Sequence, residues 1–108
     1  MHIPESDWKI LRKLREKALE RFCDRILREI SAVSEDRSLS SHDRYLRIYR
    51  LIEKRDKELG LAFDGPRRSA AIGQLITMVR LEAVKSSELE LFSEGTQQTV
   101  GRIIKEFG

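Results

Sequence analysis

A chain of 108 residues, 40% hydrophobic and 36% charged, is long enough for one modest core and too short for two, so a single domain over 1–108 is expected. Its 21 basic and 18 acidic side chains leave a net charge of only +3, less excess than a dedicated DNA-binding domain usually carries. A sole cysteine, Cys23, excludes an intramolecular disulfide, and two prolines, six glycines and few aromatics speak for helix over sheet.

Pro4 suits the first position of a helix, and Glu5 and Asp7 suit the positive end of its dipole. From there Trp8, Leu11, Ala18, Leu19, Phe22, Ile26, Ile30 and Val33 share one face at about 100° per residue. Arg15 falls inside that face. The pattern predicts a short helix over 5–13 kinked into a longer one over 16–33. Residues 34–40, SEDRSLS, form the clearest linker, with Ser40 or Ser41 capping the next helix and Leu39 placed to staple it. That helix runs over 41–63 with Tyr45, Ile48, Tyr49, Ile52, Leu59 and Phe63 on one face. Asp64-Gly65-Pro66 then reverses the chain: Gly65 takes a positive φ and Pro66 begins a new helix.

The 66–84 helix is the most apolar, with Ile72, Leu75, Ile76, Val79 and Ala83 as its core stripe. Ser86 or Ser87 caps a single turn, and Ser93 caps a last helix bearing Val100, Ile103, Ile104 and Phe107. The expected fold is all-α: an antiparallel helical bundle of three long helices plus short N- and C-terminal helices. The longest near-apolar stretch, Ala70 to Val79, is far short of the roughly 20 residues that cross a bilayer. With no signal-peptide pattern at the start, the expected location is cytoplasmic, away from membranes.

Two charged residues occupy core positions of this pattern. Asp56 lies within about 20° of Tyr45 and Phe63, and Arg68 lies between Leu75 and Val79 on the next helix. A lone buried charge costs several kcal/mol, so an Asp56–Arg68 ion pair is predicted, with Arg55 or Arg67 beside it. Its expected role is a strut that fixes helix register. A pocket for a small anion is the functional alternative, and catalysis is not expected of a pair without a nucleophile or a tuned base.

Two basic rows follow helical spacing: Arg47, Arg50, Lys54 and Lys57, and Lys17, Arg21, Arg25 and Arg28. Such rows can track a phosphate backbone. Their plainer reading is a solvated face with pairs one turn apart: Asp24 with Arg28, Arg25 with Glu29, Glu53 with Lys57, and Lys54 with Glu58. His2 and His42 lack ligand-spaced companions, so no metal or other cofactor is expected. Ser69 has no histidine to complete a triad, Cys23 reads as a packed thiol, and Trp8 and the tyrosines read as core.

The strings ALERFC (18–23), RYLRIYRLIEKRDKEL (44–59) and AFDGPRRSAAIGQL (62–75) resemble a family of short bacterial helical proteins without an assigned activity. The resemblance implies an all-helical fold and a bacterial source, and it carries over no functional residue. The sequence therefore points to a non-enzymatic helical module that binds another protein, including a second copy of itself through a patch drawn from Ala70, Met78, Leu81 or Leu91. The competing reading is nucleic-acid binding through the basic rows.

Overall fold

The computed structural model describes residues 3–107, which form five α-helices and no strand. α1 spans Glu5–Ser34, α2 Ser41–Phe63, α3 Ala71–Arg80, α4 Ser86–Leu89 and α5 Glu94–Phe107, with a 3-10 turn at Arg68–Ala70 ahead of α3. The described part is elongated, 51 × 25 × 22 Å.

α1 is one helix of 30 residues, not the two expected. Pro4 sits just outside it as the capping residue, and its carbonyl accepts the Trp8 N–H at 3.0 Å. No glycine or proline interrupts 5–34, so nothing in the backbone forces a kink. Arg15, the residue that broke the apolar face, reaches across to donate its guanidinium to the Phe63 carbonyl. One terminal nitrogen of this inner-face side chain thereby finds an acceptor without bending of the helix, while its buried Nε has none.

α1 and α2 form an antiparallel hairpin, fixed at three levels. Arg44 donates to the Ser34 carbonyl at 2.7 Å, Arg55 to Glu29 at 3.0 Å, and Arg15 to Phe63. The turn between them is built from local bonds. Asp36 Oδ1 accepts from the Ser38 backbone at 3.0 Å and from its hydroxyl at 2.6 Å, and Ser40 Oγ accepts the Asp43 N–H at 3.0 Å as the expected cap.

The third long helix is shorter than its sequence pattern. Gly65 takes the positive φ of 56° expected of it, but Arg67 is extended, so Pro66 starts no helix and α3 begins at Ala71. Gln74 Nε2 donates to the Asp64 carbonyl at 2.7 Å and holds this turn against the first turn of α3. At the other end Glu82 adopts φ 57°, a left-handed conformation rare for residues other than glycine. The Glu82 N–H bonds the Val79 carbonyl at 3.0 Å and the Ala83 N–H bonds the Met78 carbonyl at 2.8 Å, closing α3 in a Schellman reversal. α3 is therefore about 15 Å long against about 35 Å for α2, at 1.5 Å per residue.

This mismatch decides where the core sits. The buried residues of α1 are Asp7, Leu11, Leu14, Ala18 and Phe22, all in its first two thirds, and those of α2 are only Ala62 and Phe63 at its end. They meet α3 (Ile72, Leu75, Ile76, Met78) and α5 (Val100), with the Phe22 and Phe63 rings 6.3 Å apart. The far half of the hairpin has no buried residue.

Asp7 is the one buried carboxylate among the described residues, 1% exposed. Its oxygens accept the Ser93 N–H at 2.9 Å, the Ser93 hydroxyl at 2.7 Å and the Thr96 hydroxyl at 2.5 Å, which ties α1 to the first turn of α5. Burial pushes this carboxyl up, but the three donors outweigh burial and hold it below its ordinary range. Replacing Asp7 with Ala leaves two hydroxyls and an N–H without their acceptor. A loss of about 3 kcal/mol in urea unfolding is expected, with Asp7→Asn recovering only part of it.

Candidate functional site

α2 carries the residues that stand out. Tyr45, Tyr49, Ile52, Asp56, Leu59 and Phe63 follow one another at steps of four and three, the seam spacing of a coiled coil. At its lower end the seam is covered, since Phe63 is buried and Leu59 packs against the core. At its upper end it is bare: Tyr45 is 63% exposed, Tyr49 54% and Ile52 48%. The expectation that the tyrosines and Ile52 belong to the core is thus corrected. They lie on the stripe a third helix would cover, but α3 is too short to reach them.

Asp56 continues this strip and is exposed, so it needs no buried partner in the monomer. The predicted Asp56–Arg68 pair is not formed. α3 starts at Ala71, which leaves Arg68 in the 3-10 turn before it. From there Arg68 reaches the start of the chain, donating to the Ile3 carbonyl at 3.1 Å and to Glu5 at 2.8 Å. Arg55 is a strut of a different kind, half-buried and bonded to Glu29 at 3.0 Å and Glu58 at 2.9 Å. Arg67 is exposed and lines an open groove with Leu61, Ile72, Gly73, Ile76 and Ile103. The four residues expected around one ion-pair strut are spread over four places.

The two basic rows fare differently. Arg47, Arg50, Lys54 and Lys57 are all exposed, on the side of α2 away from the bare strip. The row on α1 is broken, because its two central members are committed to the backbone. Arg21 donates to the Ala83 carbonyl at 2.6 Å and grips Glu88 with both terminal nitrogens, at 2.7 and 3.0 Å. Arg25 donates to the carbonyls of Leu81 at 2.5 Å and Glu82 at 2.6 Å. Lys17 and Arg28 remain, about 16 Å apart along the helix, and Arg28 pairs with Asp24 at 2.7 Å. Of the four expected one-turn pairs, Asp24–Arg28 is formed. Arg25, Glu29 and Glu58 have taken partners on other elements or other residues.

Spaced like a solvated surface row, Arg21 and Arg25 instead close the fold. The carbonyls after α3 point out of the helix end with no intrahelical donor, and guanidinium groups from α1 supply the bonds. Glu88 completes the clamp by also accepting the Lys85 N–H at 2.8 Å, so Lys85, not Ser86 or Ser87, takes the capping position of α4. The sequence signal was present in Arg15, Arg21 and Arg25 lying on or beside the apolar face of α1. Their partners, 48 to 67 residues away, were not legible.

The remaining candidates are quiet. Cys23 is a free, half-buried thiol, and Trp8 is half-buried with the Arg12 guanidinium 5.8 Å from its ring centre. Ser69 and His42 are exposed, and His2 lies outside the described residues. Met78 is fully buried and cannot contribute to a docking patch, whereas Leu91 is 62% exposed beside a cleft formed with Ile10, Lys13, Leu14, Lys17 and Glu88. No helix among the described residues is long and apolar enough to cross a membrane.

No protein-family model matches the chain, and no curated protein or solved structure matches it either.

The Arg21–Glu88 clamp has a pH signature. The Arg21 hydrogen bonds, helped by the Lys85 N–H, hold the Glu88 carboxyl at about 2, down from about 4.5. A carboxylate with a lowered folded-state pKa contributes stability that is present above about pH 4.5 and is lost as pH falls toward about 2. With the guanidinium partly open to solvent, the loss is on the order of 2 kcal/mol. Urea midpoints followed through this window should fall with acidity, and the fall should be smaller in Glu88→Gln.

Proposed function

We propose that the protein is a non-enzymatic module that binds a partner helix, from another protein or from a second copy of itself, along Tyr45, Tyr49 and Ile52. In this reading the antiparallel bundle of three long helices is completed only when the partner supplies the third long member. The observation that carries it is the seam of α2, covered at Leu59 and Phe63 and bare from Ile52 to Tyr45. Large apolar side chains aligned at coiled-coil spacing and half open to water favour burial by a matching helix. The bonds of Arg55 with Glu29 and of Arg44 with Ser34 hold the hairpin in shape without that partner, so the face is formed in advance.

A display library of amphipathic helical peptides tests the reading. Selected peptides should perturb the amide resonances around Tyr45, Tyr49 and Ile52, and Ile52→Asp should weaken them about tenfold or more, the loss of a central contact. Peptides that map elsewhere and ignore Ile52→Asp would overturn it.

A second reading, nucleic-acid binding, is favoured by one observation: Arg47, Arg50, Lys54 and Lys57 all stand exposed in a row on α2. Fluorescence anisotropy with short RNA and DNA at about 50 and 200 mM salt separates it from the first. Nucleic-acid binding requires affinity that drops steeply with salt and vanishes in the Arg47→Gln/Arg50→Gln/Lys54→Gln variant. Unchanged anisotropy at both salts retires it.

A further inference from the structure

The bare strip of α2 is chemically complementary to itself when run in the opposite direction. Its positions in order are tyrosine, tyrosine, isoleucine and aspartate, at 45, 49, 52 and 56. Laid against a second α2 with reversed polarity, Tyr49 faces Ile52 of the other copy, and Tyr45 faces its Asp56. Symmetry gives each pair twice. The two inner layers are apolar. In the two outer layers each tyrosine hydroxyl can donate to the facing carboxylate, the partner Asp56 requires once water is excluded. A parallel alignment instead stacks Asp56 on Asp56, where like charges repel.

Resting on the reading that this strip is the binding face, we infer that its occupant is a second copy of this chain, paired antiparallel through α2 into a four-helix assembly of two hairpins. Asp56 then has a role that no contact within the monomer gives it. A polar group at one seam position specifies register and orientation, here by demanding Tyr45 of the other copy. The three half-exposed side chains bring roughly 300 Å² per copy, under half the share of a standard interface. The dimer is therefore weak, with dissociation in the micromolar range or above.

Sedimentation equilibrium up to about 0.5 mM, spanning that weak range, is the test. The wild type should dimerise, and Tyr49→Lys and Ile52→Asp should each be monomeric. Both positions are exposed in the monomer, so circular dichroism should show both variants folded. An equal mixture of the two variants should dimerise again, within about tenfold of the wild type, because the new ammonium of one chain faces the new carboxylate of the other while the second inner layer stays native. Tyr45→Phe, which leaves Asp56 of the other copy unpartnered, should weaken the dimer about tenfold. A wild type that remains monomeric overturns the homodimer, while the peptide selection still decides whether the strip binds another helix. A dimer that survives both single substitutions places the contact elsewhere and overturns the inference. Single variants that dissociate but do not recover on mixing overturn the antiparallel register.

Discussion

Short helices leave carbonyl groups pointing out of their ends, and in this fold arginines on the longest helix answer them. Arg21 and Arg25 take the carbonyls of Leu81, Glu82 and Ala83 where α3 reverses, and Arg15 takes Phe63 where α2 ends. Arg44 does the same for Ser34 at the end of α1, whose last turn has no basic residue of its own. A helix end facing the interior without such donors would cost about as much as a lost buried hydrogen bond for each carbonyl. The topology therefore follows from where α1 places its guanidinium groups: the chain turns back at the levels where an arginine is waiting. Asp7 is the acidic counterpart, meeting the N-terminal end of α5 with its negative charge and three accepted bonds.

The same device sets the length of α3. Its C-terminal reversal is held by Arg25 and by the left-handed Glu82, a position where a non-glycine residue is unfavourable and persists because its surroundings fix it. Once α3 ends there, one half of the hairpin has a third helix against it and the other half has none. Stability is concentrated in the half containing Phe22, Phe63, Leu75 and Val100. The other half stands on α1–α2 contacts and the Arg55 bridge to Glu29. An exposed apolar strip is thus a direct consequence of how the core is closed, and it lies on the more lightly braced part of the molecule.

The sequence made the helical class legible because its apolar positions recur at 3.6-residue spacing and its caps are strong: Ser40, Gly65 and Ser93 all act at the boundaries expected of them. It misplaced the ends of α3, since Ala70, Leu81 and Ala83 are apolar whether or not the backbone around them is helical. It split α1 at Arg15 because periodicity treats an inward arginine as an error in the pattern, whereas a long-range hydrogen bond to Phe63 accommodates this half-buried side chain beside the core. The Asp56–Arg68 pair failed for the same kind of reason. A wheel argument assumes both residues are helical, and Arg68 precedes its helix. Asp56 interrupts the apolar pattern, but it does so on an exposed strip and not in a buried strut.

That distinction changes what Asp56 means. In a monomer an exposed aspartate among tyrosines costs nothing and explains nothing, because water solvates the carboxylate. Across a helix–helix contact the same residue becomes selective. It weakens any pairing that meets it with an apolar group, and it permits pairings that bring a donor. The row of Arg47, Arg50, Lys54 and Lys57 is exposed on the opposite side of α2, outside the strip. α2 thus divides into a bare apolar strip that carries one carboxylate and an exposed basic face. The ten-residue length of α3 is what leaves the first of these uncovered within the chain.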